Sequence, residues 1–241
     1  MNVVAINASP RMESGNTADI LMPFLEGIKE AGANVELFLT RKLTIHPCQG
    51  DFSCWLNTPG KCFQKDDMEI LLPRLAKADL WVFATPLYVD GMAGTLKNLF
   101  DRAIPLLQPF FEIRDGHCRH PLREGVRSGK FALVASCGFW ELDNFEPLLA
   151  HARAICRNLK REFSGALLRP HSRALKMMLK TGESANDILE AARSAGRQLV
   201  REGCMSDQTV AAVSRPLMER DAFLENVNAA FRKALDELKT G

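Results

Sequence analysis

The first seventeen residues of the chain, MNVVAINASPRMESGNT, decide the prediction of its fold. Residues 3–6 form a short apolar run bounded by turn-forming residues, which is typical of a buried β-strand. A helical pattern begins at Thr17 and continues to Ala31. Between them, residues 7–16 form a polar loop that contains one Arg and one Gly. The chain is therefore predicted to open with a strand, a short loop and a helix.

The loop between this strand and helix has the residue types of an anion site. A helix N-terminus presents unpaired backbone N–H groups and the positive end of the helix dipole. The loop is neither G-x-G-x-x-G nor G-K-[ST], so the dinucleotide fingerprint and the Walker loop are both absent. Hydroxyl and amide groups in place of glycines predict a terminal phosphate held by Ser9, Ser14, Asn16 and Thr17. The alternative is an ordinary capped turn between a strand and a helix.

Length and composition are those of a globular protein with one large domain, or one domain with an appendage. The chain has 241 residues and a formal net charge of +2, which gives no indication of a nucleic-acid or membrane partner. No apolar stretch reaches membrane-spanning length and no signal-peptide pattern is seen, so we expect a cytoplasmic protein. The seven cysteines are then expected to be thiols or ligands rather than disulfides.

Strand and helix patterns alternate through most of the chain. Further strands are predicted at residues 35–39, 80–84, 131–135 and 163–168, and helices near 66–78, 95–104 and 144–160. This alternation predicts an α/β fold, a doubly wound five-stranded parallel sheet covered by helices on both faces. In such folds the loops that follow the strands meet at one edge, where ligands bind. Residues 105–129 are predicted to leave the sheet, and residues 184–239 to form a helical tail.

The loops after the third and fourth strands carry candidate binding residues. The first of them contains the only tyrosine, Tyr88, and two glycines that allow close approach of the backbone to a ligand. The second, residues 135–141, supplies a Ser, a Gly and two aromatic residues, and its Cys137 is interpreted as a small buried residue rather than a redox thiol. We therefore expect three loops to hold a phosphate and a flat ring. The alternative is that these residues only end strands and pack.

Three stretches together resemble the flavodoxin-like NAD(P)H-dependent FMN reductases, and most closely their iron–sulfur flavoprotein branch. They are residues 7–17, the sequence Pro86-Leu87-Tyr88 and the cysteine-containing block 47–68. The helical spacing of apolar residues in the tail predicts a helical C-terminal extension, residues 176–241, that packs on the core or on a second subunit. The resemblance, which covers about residues 1–170, implies a flavodoxin-like FMN-binding domain, residues 1–175. It also implies FMN as cofactor, NAD(P)H as co-substrate, and a homodimer or homotetramer with the flavin site near a subunit interface.

The resemblance further implies which residues bind FMN. The phosphate would lie in the first loop, the isoalloxazine ring against the second, and the third loop opposite or beneath the ring. The residues for the phosphate are Ser9, Arg11, Ser14, Asn16 and Thr17. Those of the second loop are Pro86, Leu87, Tyr88 and Gly91, and those of the third loop are Ser136, Gly138 and Phe139. No side chain is expected to act as a catalytic acid or base, because the flavin carries the chemistry.

The cysteine block departs from the iron–sulfur branch at one position. Members of that branch present a C-x2-C-x2-C-x7-C arrangement, and the corresponding residues here are Cys48, Asp51, Cys54 and Cys62. A hard carboxylate is a poor substitute for the soft thiolate ligands of an iron–sulfur cluster, so we expect no cluster. The alternatives are a labile cluster with Asp51 as a ligand, a three-iron cluster on the three cysteines, or zinc on those cysteines.

The expected function is that of an FMN-dependent oxidoreductase, which passes electrons from NAD(P)H through bound FMN to a second small-molecule acceptor such as a quinone or a flavin. The alternatives are a non-catalytic electron carrier and a phosphate-ligand sensor. Strong acidity at the ligand edge is common in flavodoxin-type carriers, and this near-neutral chain with Arg11 in its first loop lacks it, which favours the enzyme. The eight Lys or Arg residues against one acid between Arg153 and Lys180 are interpreted as a solvated helix face.

Overall fold

The computed structural model describes residues 1–240 and shows an α/β protein. The strands are β1 (Asn2–Asn7), β2 (Asn34–Leu39), β3 (Leu80–Tyr88), β4 (Gly91–Met92), β5 (Glu112–Arg114), β6 (His117–Arg119), β7 (Lys130–Ser136) and β8 (Glu162–Arg169). The helices are α1 (Ala18–Glu30), α2 (Ser53–Leu56), α3 (Met68–Lys77), α4 (Gly94–Asp101), α5 (Glu146–Asn158), α6 (Ser172–Thr181), α7 (Asn186–Arg201), α8 (Asp207–Ser214) and α9 (Arg220–Thr240). Within this range no helix combines the length and the hydropathy needed to cross a bilayer.

Five strands form a parallel sheet in the order β2-β1-β3-β7-β8, and β4 pairs antiparallel with the end of β3. Val3 of β1 is in register with Val35 of β2 on one side and with Leu80 of β3 on the other. Strand β2 lies on one side of β1, whereas β3, β7 and β8 follow in turn on its other side. The order in which the chain adds strands therefore changes direction between β1 and β3. The predicted doubly wound sheet is therefore confirmed, and its topological switch point lies beside the loop that follows β1.

The sheet separates two apolar cores because successive side chains of a strand point to opposite faces. Val3 and Ala5 of β1 belong to one core, whereas Val4 and Ile6 belong to the other. Helices α1 and α7 cover the first face, and α3, α4 and α5 cover the second. With both faces covered, every strand can be almost wholly apolar, which is why the strands were recognisable in the sequence.

Helices α1 and α7 cross at very close range because each contributes a glycine to the contact. A Cβ atom added at Gly27 would lie 1.9 Å from the carbonyl oxygen of Arg193, and one added at Gly196 would lie 2.1 Å from the carbonyl oxygen of Phe24. These neighbours are backbone atoms of the facing helix, so they cannot move aside independently. The crossing fixes α7, which belongs to the predicted C-terminal extension, against the first helix of the chain.

The structure adds to or extends the predicted elements in four places, the first of which is the short helix α2 in the cysteine block. Strand β3 continues beyond residue 84 to Tyr88, because β4 folds back on its end. Residues 105–129 leave the main sheet as predicted, but they contain the small separate hairpin β5–β6. Helix α6 was not predicted, because it begins after a residue in the left-handed conformation, His171, with no side-chain cap. Helix α6 also crosses the predicted domain boundary at 175/176, a division that stays a prediction.

Candidate functional site

The loops that follow β1, β3 and β7 meet at the carboxyl ends of the strands, around a cavity of about 510 Å³ that α6 closes from one side. Its lining residues are Ser9, Arg11, Asn16, Thr17, Pro86, Leu87, Tyr88, Ser136, Cys137, Gly138, Ser172, Arg173, Lys176, Met177 and Lys180. A larger cavity of about 730 Å³ lies at the opposite edge, beside Met1 and Lys130, where the strands begin. Doubly wound sheets bind ligands at the carboxyl ends of their strands, so the first cavity is the candidate site.

The first loop is shaped by Asn7 and Gly15. The buried Asn7 side chain accepts a hydrogen bond from the backbone N–H of Ser9 (2.9 Å) and donates one to the carbonyl oxygen of Met12 (3.3 Å). A Cβ atom added at Gly15 would lie 2.3 Å from Ser9 Oγ, so a larger residue would displace that hydroxyl. The loop thereby places the Ser9 hydroxyl beside the N-terminus of α1, where an anion is stabilised.

Hydrogen bonds between side chains tie the first loop to the third loop and to α6. The buried hydroxyls of Thr17 and Ser136 are 2.8 Å apart. Asn16 Nδ2 donates to Ser172 Oγ (3.1 Å), and the Ser172 hydroxyl donates to the carbonyl oxygen of Cys137 (2.8 Å). Because a hydrogen bond between two hydroxyls uses one of their two hydrogens, Thr17 and Ser136 together keep one hydrogen for a ligand acceptor.

The end of β3 forms a wall of the cavity. Leu87 is buried, whereas Tyr88 is 51% exposed and pairs with Gly91 of β4. The two residues between them, Val89 and Asp90, have φ angles of +46° and +59°, which is the pattern of a tight hairpin turn that usually contains Gly or Asn. A β-branched residue such as Val89 is strained in this conformation, and strain of this kind concentrates at functional sites. The wall is therefore a tight hairpin with a half-exposed aromatic side chain.

Nine of the twelve predicted binding residues line the cavity, namely Ser9, Arg11, Asn16, Thr17, Pro86, Leu87, Tyr88, Ser136 and Gly138. The structure places the other three, Ser14, Gly91 and Phe139, outside its lining. The Ser14 hydroxyl donates to the carbonyl oxygen of Arg11 (2.7 Å), Gly91 lies in β4, and Phe139 is 60% exposed. Their contact with a ligand stays a prediction, as does that of the nine.

The predicted set omitted six lining residues, namely Cys137, Ser172, Arg173, Lys176, Met177 and Lys180. Five of them lie on α6, the helix that was not predicted. The available signal was the basic run that ends at Lys180, which was interpreted as a solvated helix face. That interpretation was wrong for part of the run, because Arg161 and Arg169 are buried and three other members line the cavity.

Arg169 and His171 form a buried pair that supports the third loop. Arg169 Nη2 donates to His171 Nε2 (2.9 Å), and the backbone N–H of Leu217 donates to the same nitrogen (3.1 Å). Two donors at Nε2 assign the ring hydrogen to Nδ1. Burial, with the nearby charge of Arg169, lowers the pKa of His171 to about 4, so the ring is neutral at pH 7. The His171 backbone N–H donates to the carbonyl oxygen of Phe139, which anchors that loop.

The cysteine block brings its three thiols and one carboxylate to a narrow cavity of about 20 Å³. Burial raises the pKa of the Cys54 thiol, and the neighbouring Cys62, Cys48 and Asp51 raise it further. Asp51 accepts a hydrogen bond from the Ser53 hydroxyl. Within residues 1–240 no three or more His, Cys, Asp or Glu side chains have the geometry to hold a metal ion. This donor set does not fit a four-thiolate iron–sulfur cluster, so no reaction step is assigned to one.

The fold is that of a flavodoxin-like α/β protein, and the cavity offers groups suited to a phosphate and a flat ring. Hydroxyl, amide and guanidinium groups lie around the N-terminus of α1, and the hairpin wall contributes Tyr88. Among the described residues, no acidic side chain lines the cavity. These residues fit FMN, which presents a phosphate dianion and a planar ring.

The chain belongs to the NADPH-dependent FMN reductase family, whose model matches residues 1–158. It is 31% identical over 129 residues to an iron-sulfur flavoprotein of Archaeoglobus fulgidus, in an alignment that covers 54% of this chain and 62% of that protein. The chain spans about half to three-fifths of the iron-sulfur flavoproteins that it matches.

Solved structures with the same fold include an NAD(P)H:quinone oxidoreductase from Methanothermobacter marburgensis, with a TM-score of 0.54 and 18% identity over 83% of this chain and 96% of that one. An FMN-dependent NADH-azoreductase from Bacillus anthracis, solved with FMN, has a TM-score of 0.58 and 14% identity over 84% of this chain and 99% of that one. The predicted family and fold are confirmed, and the predicted cofactor, FMN, is the one for which the family is named.

Proposed function

We propose that this protein binds FMN in the cavity at the ends of β1, β3 and β7 and oxidises NAD(P)H with it, passing the electrons to a second small-molecule acceptor. One observation carries the proposal. In a chain of the FMN reductase family, nine residues expected from the sequence to bind FMN line a single cavity that contains phosphate-binding donors and the hairpin wall with Tyr88.

The first loop holds the FMN phosphate in this proposal. Ser9, Asn16 and Thr17 supply neutral donors, and Arg11 supplies a charged one, around the N-terminus of α1. Arg11 is already oriented by a hydrogen bond from its Nη2 to Asn16 Oδ1 (3.0 Å). The phosphate therefore enters a site whose donors are in place before it binds, which lowers the cost of ordering them.

The hairpin wall and the third loop hold the ring. Leu87 and Tyr88 offer an apolar surface on one side, and the third loop contributes Ser136 and Gly138. Apart from its own chain neighbours, no described residue has an atom within 4 Å of a Cβ built on Gly138, so this loop leaves room for a ring or a stacked substrate. Bound FMN supplies the electron-transfer chemistry, and the chain binds it, orients it and limits its contact with water. That no side-chain acid or base is needed stays part of this proposal.

A quinone is the first acceptor to test, and a free flavin or an azo compound the next. A quinone oxidoreductase and an azoreductase share the fold, and the half-exposed Tyr88 leaves the rim of the cavity open to a small planar molecule.

We also propose a cytoplasmic homodimer or homotetramer. Val89, Phe139 and Phe231 are exposed apolar side chains, the first two near the cavity and the third on α9, and a second subunit would cover such a surface. All seven cysteines are free thiols, which suits a reducing compartment.

Steady oxidation of NADPH and NADH by the FMN-loaded protein, with and without a soluble quinone, tests the activity. We expect consumption of the nicotinamide that requires both the protein and the acceptor. An FMN-loaded protein that oxidises neither nucleotide faster than free FMN does would contradict the proposal and favour an electron carrier. The variant Gly15→Val, which displaces the Ser9 hydroxyl, serves as the control with an impaired phosphate loop.

A further inference from the structure

Helix α6 is a part of the site that lies beyond the residues matched by the family model, which end at residue 158. Its first residue, Ser172, is bonded to Asn16 of the first loop and to the backbone of Cys137 in the third. His171, immediately before it, is buried and held by Arg169. The start of α6 is therefore fixed against two of the loops that form the cavity.

One face of α6 is basic and lines the cavity. Arg173, Lys176 and Lys180 are spaced by three and four residues, which places them on the same side of a helix. All three line the cavity, together with Arg11 from the first loop. Among the described residues, the lining of the cavity therefore has four cations and no acid.

Within the part of the chain that the structure describes, one of these four cations forms a direct ion pair. Lys176 pairs with Asp19 in the first turn of α1, with Nζ 2.7 Å from Oδ1. Across residues 1–240, Arg173 and Lys180 form no ion pair, and the Arg173 guanidinium lies 5.4 Å from the ring centre of Phe231. Arg11 is bonded to a neutral amide oxygen. Asp19 also interacts through its charge with Arg11 and Lys180, so the four cations (+4) and Asp19 (−1) together leave a formal charge of +3 at the cavity.

The FMN phosphate does not account for all three of these charges. A phosphate monoester carries about −1.5 to −2 at neutral pH, so Arg11, Arg173 and Lys180 leave a positive surplus after FMN has bound. Arg173 and Lys180 are also seven positions apart, which corresponds to about 10 Å along a helix. That separation suits two phosphate groups better than one. The co-substrate of the proposed function carries a pyrophosphate and, in NADPH, a further phosphate on the adenosine ribose.

We propose that the basic face of α6, through Arg173 and Lys180, binds the phosphates of the nicotinamide dinucleotide and favours NADPH over NADH. The inference rests on the proposed function, because it assigns the co-substrate of the same site. Arg binds phosphate oxygens through its planar fork and Lys as a point charge, so both residues have the required chemistry. In the sequence, the feature that points to this surface is the run of basic residues that ends at Lys180.

The test compares the double variant Arg173→Ala/Lys180→Ala with wild type. We expect the KM for NADPH to rise about tenfold or more, the KM for NADH to rise less, and kcat to stay within about twofold. The Kd of NADP⁺ for the FMN-loaded protein, measured by calorimetry without turnover, should rise by a similar factor, and the Kd of FMN should stay within about twofold.

Two control variants accompany this test. Arg173→Lys/Lys180→Arg, which keeps both positive charges, should retain NADPH binding. Arg157→Ala/Lys160→Ala, which removes two exposed charges at the opposite edge of the sheet, should leave all values unchanged.

Two results would overturn the assignment. One is an unchanged NADPH KM and NADP⁺ Kd in the double variant. The other is a loss of FMN affinity as large as the loss of NADPH affinity, which would assign these cations to the FMN phosphate. If wild type oxidises no NAD(P)H, the proposed function fails, and the NADP⁺ Kd values still decide the role of α6.

Discussion

The hydroxyl groups of Thr17 and Ser136 lie 2.8 Å apart and join the first loop of the cavity directly to the third. Their shared hydrogen bond leaves one hydroxyl hydrogen for a ligand, and Thr17 stands at the N-terminus of α1, where we place the FMN phosphate. Thr17→Val keeps the shape of the side chain and removes the hydroxyl. We expect the Kd of FMN to rise about tenfold, which corresponds to the loss of one hydrogen bond to a charged group.

Quenching of flavin fluorescence measures this affinity, and riboflavin provides the comparison because it lacks the phosphate. Its Kd should change little in Thr17→Val. Equal losses for FMN and riboflavin would contradict a phosphate contact at Thr17. Thr58→Val, an exposed change in the cysteine block, is the control for the loss of a hydroxyl elsewhere.

Stability should fall as the pH decreases from about 6.5 to about 4, because of His171. Its pKa is lowered to about 4 in the folded protein from 6.5, so the unfolded chain takes up the proton first. The contribution to stability is fully present above pH 6.5 and is lost as the pH falls towards 4, by up to about 3 kcal/mol. Urea denaturation midpoints measured across this range should show the loss.

His171→Asn should depend less on pH over the same range, since Asn tolerates the left-handed backbone of this position and does not titrate there. The matched control is His117→Asn, which removes an exposed histidine and should keep the wild-type dependence. A steep loss of stability that persists in His171→Asn would assign the effect to other groups.

The sequence was sufficient to predict the sheet and much of the cavity, for reasons visible in particular residues. A strand buried on both faces is a continuous apolar run, so residues 3–6 identified β1, and the polar residues after it identified the first loop. Helix α6 escaped prediction because the chain enters it through the left-handed His171 rather than through a capping residue. Because α6 was not predicted, the sequence indicated that Arg173 and Lys180 are charged but not that they line the cavity. The close crossing at Gly196 was equally inaccessible, because it depends on which helix faces α7.

The crossing of α1 and α7 should not tolerate a methyl group. In an isolated helix, Gly→Ala is favourable by about 1 kcal/mol. Gly196→Ala should instead lower the free energy of unfolding by about 2–3 kcal/mol, because the added Cβ meets the backbone of Phe24 and forces the helices apart. Urea denaturation provides the measurement.

Gly94→Ala is the control for this change, since a Cβ there has no neighbour within 4 Å beyond the adjoining chain. Its free energy of unfolding should be kept or slightly increased. An unchanged or higher stability of Gly196→Ala would show that the crossing is looser than described.

Binding of FMN by the purified protein is the most direct test of the function proposed here. The measurement is the visible absorption spectrum of the protein as isolated, followed by titration with FMN. We expect a yellow protein that releases noncovalent FMN on denaturation and binds it again. Ser9→Ala/Arg11→Ala should retain far less FMN, whereas Cys48→Ala, outside the cavity, should retain it as wild type does. A colourless protein that fails to bind added FMN would contradict the central claim.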